Sequence, residues 1–322
     1  MSVTLTQPTT RPAGPTVDAD GWSPEPAASG LALDDELVHR AAMAARSLPP
    51  AVDEALARFV EGSDRSGALL LRKLAIGPLP LTPSSPAAMT DKDLSTELTL
   101  LTIARRLGQP VGYTPEHGGR IVQNIVPTQA DANSQTSTSS RSNLMFHTET
   151  AFHPHRPRYL LLLCLRGDPA AETTLVSIHD LMDQLPADMV NVMFEPRFRT
   201  AVDVSFLDGR DNVLGEARPL VTGTREEPTF IFDADLTIGV DPESDEVVNR
   251  LCELIEEIKT SVVLEPGDLL VVDNNVAIHG RSAFVARFDG ADRWLQRSFV
   301  VTDLAPSAGE RNGRVITTQF GR

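Results

Sequence analysis

The sequence predicts a mainly β protein with flanking helices, and three features predict it. Apolar runs of strand length recur from about residue 67 to residue 303 at irregular spacing. They do not alternate with helices as β-α-β units would, and helical periodicity gathers ahead of them and in two later interruptions. That pattern argues for a sandwich or barrel decorated by helices.

Residues 1–30 are rich in Pro, Thr, Ala and Gly with little to bury, so they read as a flexible tail before one domain over 31–322. Leu33, Leu37 and Ala41 share a helical face, and Leu56, Phe59 and Val60 mark a second short helix. GALLLRKL (67–74), ended by a Pro/Gly turn, reads as a buried strand; Leu94, Leu98, Leu101 and Ala104 then return to helical spacing over about 91–107. Further strands are expected at 119–126, 143–150, 158–166, 173–178, 228–233, 268–274 and 294–303, with helices near 179–193 and 244–260. TQADANSQTSTSSRSN (128–143) breaks the pattern. A polar segment this long between strands is either a functional lid or a loose surface insertion, and its place directly before a His/Glu pair favours the lid.

The formal net charge is −15 and no Lys/Arg-rich run occurs, which argues against nucleic acid or an anionic membrane surface as a partner. A small anion remains possible, because one buried Arg overrules the global field locally. Cys164 and Cys252 sit in apolar surroundings and read as free thiols, although spacing alone leaves a disulfide open. With no apolar run of membrane-spanning length and no secretory pattern at the N-terminus, a cytoplasmic location is expected.

The chemistry centres on His147-Thr148-Glu149. Alternation along a strand puts residues 147 and 149 on one face. A His from a distant strand would complete a 2-His-1-carboxylate triad for Fe(II), leaving three positions for a chelating 2-oxoacid and O2. Such a pair is common by chance; the C-terminal context strengthens it. EPGDLLVVDNNVAIHGRSAF carries His279 in an aliphatic setting, and Arg293 lies fourteen residues beyond it, a cation of the kind that binds a distal carboxylate bidentately.

HTETAFHPHRPRYLLLLCLRGD, LLVVDNNVAIHGRSAF and RFDGADRWLQRSFVVTDL together resemble the clavaminate synthase-like branch of the Fe(II)/2-oxoglutarate oxygenases, which includes free amino-acid hydroxylases. The resemblance runs from about residue 67 to residue 303. It implies a double-stranded β-helix (jelly roll), with iron held by His147, Glu149 and His279 and the C5 carboxylate of 2-oxoglutarate held by Arg293. Thr174 matches a threonine that assists Arg293, with Thr173 as the alternative. Arg297 matches the group for the substrate α-carboxylate and Gln123 a contact to the α-amino group, which Glu149 also accepts; a surface strand Arg is the plain alternative for Arg297. Asp233 and Asp235 in PTFIFDADLTIGVDP match the side-chain pocket, unless they are an exposed pair at a strand exit.

Two carboxylates there favour a free L-amino acid with a nitrogenous side chain: Arg, Lys, Asn or a cyclic arginine derivative. The implied reaction is hydroxylation at Cβ with release of succinate and CO2, in a role of the antibiotic-biosynthesis kind. The carboxylate at position 149 favours hydroxylation over halogenation. Desaturation or cyclisation of an amino-acid-derived or carrier-bound substrate stays open, as does a jelly-roll protein that binds a ligand without turnover. His153 and His155 resemble supporting residues rather than ligands, and His39, His117 and His179 lack convincing partners.

Overall fold

The computed structural model describes residues 13–25, 35–62, 64–88 and 90–321. In chain order the elements are β1 (Thr16–Asp18), α1 (Asp35–Ala44), α2 (Pro50–Val60), β2 (Ala68–Arg72), α3 (Ser95–Leu107), β3 (Gln109–Tyr113), β4 (Gln123–Ile125), β5 (Leu144–His147), β6 (Tyr159–Arg166) and β7 (Glu172–Ser177). Then come α4 (Ile178–Gln184), α5 (Ala187–Met193), β8 (Phe198–Thr200), β9 (Val221–Gly223), β10 (Pro228–Phe230), β11 (Thr237–Gly239) and α6 (Pro242–Ile258). The chain finishes with β12 (Thr260–Val263), β13 (Leu269–Asp273), β14 (Ala277–Arg281), β15 (Trp294–Val301), β16 (Arg311–Asn312) and β17 (Val315–Ile316).

Two sheets form the jelly roll. The larger runs β1-β2-β13-β6-β15-β3-β17-β16, with β4 also on β15; the smaller runs β12-β7-β14-β5. Alternation along the strands of the larger sheet explains its sequence. Leu161 and Leu163 of β6 and Leu269 and Val271 of β13 pack outward against α1, α2 and α3. Leu160, Leu162 and Leu270 turn inward, toward Leu175 and Ala277 of the smaller sheet. Both faces are buried, so RYLLLLCLR reads as a continuous apolar run rather than an alternating one. The outer face of the smaller sheet, with Val176 and Ile278, packs on α4, α5 and α6. The inner face of that sheet therefore looks onto the larger sheet, and it is where polar side chains collect.

Two expectations are corrected. Part of the segment read as a tail is a sheet edge: Thr16 pairs in parallel with Leu70, while residues 1–12 and 26–30 lie outside the described residues. The helix expected over 179–193 is two helices, because Pro186 has no N–H to continue α4 and instead leads into α5. Both cysteines are free thiols, Cys164 buried and Cys252 half-buried. Among the described residues no helix is long and apolar enough to cross a membrane.

Candidate metal centre and substrate cleft

His147, the last residue of β5, sits directly opposite His279 of β14, and their rings lie 4.4 Å apart. Glu149 reaches the same point by a different route from the one expected. The strand ends at His147, so alternation along β5 does not place Glu149. A turn with Thr150 at φ 51° does, and side chains lock it. Asn274, fully buried, accepts from the Glu149 N–H at 2.7 Å and donates to the carbonyls of Glu149 (3.1 Å) and Pro157 (2.9 Å). Thr148 exchanges two hydrogen bonds with the Phe232 backbone, which brings the 232–235 segment alongside. Among the described residues, His147, Glu149 and His279 form the one three-residue group whose ligand atoms all lie within 4.8 Å of one another.

The residues present fit an iron ion. The Nδ1–H of His147 donates to the Met145 carbonyl at 2.8 Å, which leaves Nε2 as the free lone pair. His279 Nε2 faces Glu149 Oε2 at 3.6 Å. Burial, aided by His147, lowers the His279 pKa to about 4, so its lone pair is available at neutral pH. Burial alone would raise Glu149, but Arg297 and the two histidines outweigh it and bring the carboxyl to about 2. Two imidazoles and a carboxylate, clustered at one point, are the donor set of a facial non-haem iron site.

The triad opens on a cleft of about 840 Å³. Leu160, Leu162 and Leu295 line its inner part together with Arg293 and Thr173. Arg293 is buried with no carboxylate in ion-pair distance among the described residues, and burial lowers its pKa to about 10. The hydroxyl of Thr173 is buried without a hydrogen-bond partner among the described residues. Thr174 is corrected here. Arg281, on the His279 face of β14, pairs with Thr173, whereas Thr174 pairs with Gly280 and points to the outer face. Thr173, the alternative, is the threonine on the cleft wall.

Arg297 also lines the cleft and is anchored on several sides. Its Nε donates to Gln123 Oε1 at 2.8 Å, its Nη2 to Glu116 Oε2 at 2.7 Å, and its Nη1 stands 3.6 Å from Glu149 Oε1. Gln123 is therefore behind Arg297 rather than on the cleft wall: its carbonyl oxygen holds Arg297 and its NH2 donates to the Arg120 carbonyl at 3.3 Å. The direct α-amino contact expected of Gln123 is not supported. Asp233 and Asp235 both line the cleft. Asp233 bridges to His147 through its backbone, and its Oδ1 accepts the N–H groups of Asp235 and Leu236, which leaves Oδ2 free. Burial raises the Asp233 pKa, opposed chiefly by His147.

Sequence reasoning missed Glu116, His117 and Asp203, all on the cleft wall. The signal for the first two was PEHGG. His117, Gly118 and Gly119 all have positive φ, and a Cβ at Gly112 would lie 2.2 Å from the Gly119 oxygen, so the hairpin folds back tightly and delivers Glu116 to Arg297. Asp203 comes from a short turn with no motif. His153 is a turn residue: its Nδ1 accepts from the His155 N–H at 2.9 Å and its ring packs on Tyr113.

An iron-binding triad on the inner face of a jelly roll, beside a buried arginine with no ion pair among the described residues, defines a non-haem iron oxygenase that uses 2-oxoglutarate. The chain belongs to the TauD/TfdA family: the model of the family described as taurine catabolism dioxygenase TauD, TfdA family matches residues 85–299. It is 38% identical to the L-lysine 3-hydroxylase of Catenulispora acidiphila over 87% of this chain and 80% of that protein. It is 34% identical to clavaminate synthase 2 of Streptomyces clavuligerus, over 85% of this chain and 86% of that one. Among solved structures, asparagine oxygenase in complex with Fe(II), 2S,3S-3-hydroxyasparagine and succinate superposes with a TM-score of 0.84 at 34% identity, covering 90% of this chain and 92% of that one. These matches bear out the jelly roll, the oxygenase class and the need for iron and 2-oxoglutarate.

Proposed function

We propose that this oxygenase hydroxylates a free L-amino acid with a basic or amide side chain at Cβ. The observation that carries the reading is the polarity of the cleft around the triad. Arg297 stands on the Glu149 side, and Asp233 stands on the His147 side with Asp235 beside it. A zwitterion with a nitrogenous side chain matches that order. Its α-carboxylate meets Nη1 of Arg297, its ammonium meets Glu149, and its side-chain nitrogen meets Oδ2 of Asp233. The similarity to a lysine hydroxylase and an asparagine oxygenase supports the same reading.

Arg293 and Thr173 would hold the distal carboxylate of 2-oxoglutarate, and Leu160, Leu162 and Leu295 would exclude water around it. With iron, 2-oxoglutarate and O2 bound, the centre supplies oxidation of the oxoacid to succinate and CO2 and insertion of one oxygen atom into a C–H bond. The protein contributes orientation: anchoring both ends of the amino acid fixes which carbon faces the metal. The wall formed by residues 128–143 covers the cleft in the manner of a lid.

The test is reconstitution with Fe(II) and 2-oxoglutarate without air, then air, with a panel of L-amino acids and mass detection. One basic or amide amino acid should gain an oxygen atom with matching succinate, and Asp233→Ala should weaken its binding. Succinate without any modified amino acid would sink the substrate assignment.

A further inference from the structure

Segment 128–143 is a knitted wall. The Thr128 N–H donates to the Thr138 carbonyl at 3.0 Å, and the N–H groups of Ser140 and Arg141 converge on the Ala132 carbonyl. Asp131 Oδ2 accepts from the hydroxyls of Thr128 and Thr138, at 2.7 and 2.8 Å. Gln135 reaches across to β5, accepting from the Met145 N–H and donating to the Asn143 carbonyl. Asp131, Gln135, Thr136, Ser137 and Thr138 all face the cleft.

One cation fastens this wall to the strand that carries His279. Arg281 is buried, and its Nη1 donates to the Ser139 carbonyl at 2.5 Å. Its Nη2 donates to Ser139 Oγ at 3.0 Å and to the Ser142 carbonyl at 2.8 Å, and its Nε to the Ser282 carbonyl at 3.1 Å. Phe284, whose ring lies 5.2 Å beneath the guanidinium, donates its N–H to the Ser140 carbonyl. Every one of these acceptors is neutral. A buried guanidinium with neutral partners alone still lacks a counter-charge, which is a costly arrangement. Its cross-strand neighbour is Thr173, whose buried hydroxyl has no partner, and Arg293 lines the same cavity, also without an ion pair among the described residues.

We propose that Arg281 is a positioning residue that couples the 2-oxoglutarate pocket to the 128–143 wall. The anionic cosubstrate, held by Arg293 and Thr173, supplies the counter-charge that the Arg281 guanidinium lacks. Its binding therefore strengthens the hydrogen bonds from Arg281 to the wall. By reciprocity, a fastened wall raises the affinity for the oxoacid by the same factor. The cleft wall would thus be set before the amino acid arrives. The inference rests on the assignment of Arg293 to the distal carboxylate.

The test is amide hydrogen exchange in the iron-loaded protein without air, with and without 2-oxoglutarate. Exchange at Thr128, Ser140, Arg141 and Phe284 should slow about tenfold on adding the oxoacid, a coupling of ordinary size. In Arg281→Gln, which retains donors but loses the charge, that slowing should vanish and the Kd for 2-oxoglutarate should rise by a similar factor. Ser139→Ala is the milder variant. It removes the Ser139 Oγ bonds to Arg281 and to the Thr136 carbonyl and leaves the charge, so the wall should exchange faster at baseline yet still be slowed by the oxoacid. Wall exchange indifferent to bound 2-oxoglutarate in the unmodified protein, full slowing in Arg281→Gln, or an unchanged baseline in Ser139→Ala would overturn the coupling. Failure of the unmodified protein to bind 2-oxoglutarate at all would instead refute the Arg293 assignment.

Discussion

Replacing Asn274 by Ala removes one side chain that satisfies three backbone groups around the metal-bearing turn. The Glu149 N–H and the carbonyls of Glu149 and Pro157 all bond to it at 2.7–3.1 Å in a site with no exposure. At about 1 kcal/mol net per hydrogen bond, the loss is about 3 kcal/mol, and more where the orphaned groups stay dry. Asn274→Asp keeps the acceptor for the Glu149 N–H but sets an oxygen against two carbonyls and adds a charge near Glu149, so it should be at least as damaging. Denaturant unfolding of the metal-free protein reads the first effect. Iron titration reads the second, because Glu149 loses the frame that aims it. An Ala variant within about 0.5 kcal/mol of the unmodified protein would refute the claim that this amide organises the turn, since surface changes alone reach that size.

Three further outcomes are expected. Thr173→Val should raise the KM for 2-oxoglutarate several-fold while Thr174→Val leaves it unchanged; the reverse ranking would restore Thr174 to the cleft. Gln123→Ala should raise the KM for the amino acid through Arg297, and its effect should largely disappear in an Arg297→Lys background; simple additivity would show that Gln123 acts elsewhere. Burial, with neighbouring cations, lowers His117 and His279 from 6.5 to about 4, and burial aided by His155 lowers His153 to about 3. From about 6.5 down to about 4 the unfolded chain binds protons that the folded chain does not, so acidification across that window should destabilise the metal-free protein. A stability flat from about pH 7 to 5 would contradict the burial of these rings.

The parts legible in the sequence were those where chemistry and local pattern coincide. His147, Glu149, His279 and Arg293 lie in distinctive strings, and the aliphatic runs of β6 and β13 were legible as strands. What stayed hidden depended on facing directions and long-range partners. Thr173 and Thr174 are adjacent and chemically identical, and only the pairing of β7 with β14 decides which one faces inward. Gln123 was placed at the substrate amine because it matches a family glutamine in sequence. Its amide is spent holding that guanidinium, a fact that needs the register of β4 against β15. Glu149 was reached by the right expectation and the wrong cause, since a turn held by Asn274, not strand alternation, aims it.

The same logic explains how a chain of net charge −15 handles two anions, an oxoacid and a carboxylate. Surface charge is screened over about 10 Å in ordinary salt, whereas buried groups beside a cleft are not. Arg281, Arg293 and Arg297 are each buried on the cleft wall, and the framework treats each differently. Arg297 carries its own carboxylates, Glu116 and Glu149, so it can orient an amino acid without demanding one. Arg281 and Arg293 have no such partner among the described residues. On the proposed assignments, the pocket they flank would be completed by an anion, and the carboxylates of Asp203, Asp233 and Asp235, which line the rest of the cleft, would favour the nitrogen end of the substrate. On these assignments, partition of charge within the cleft, not net charge, would separate the cosubstrate from the amino acid.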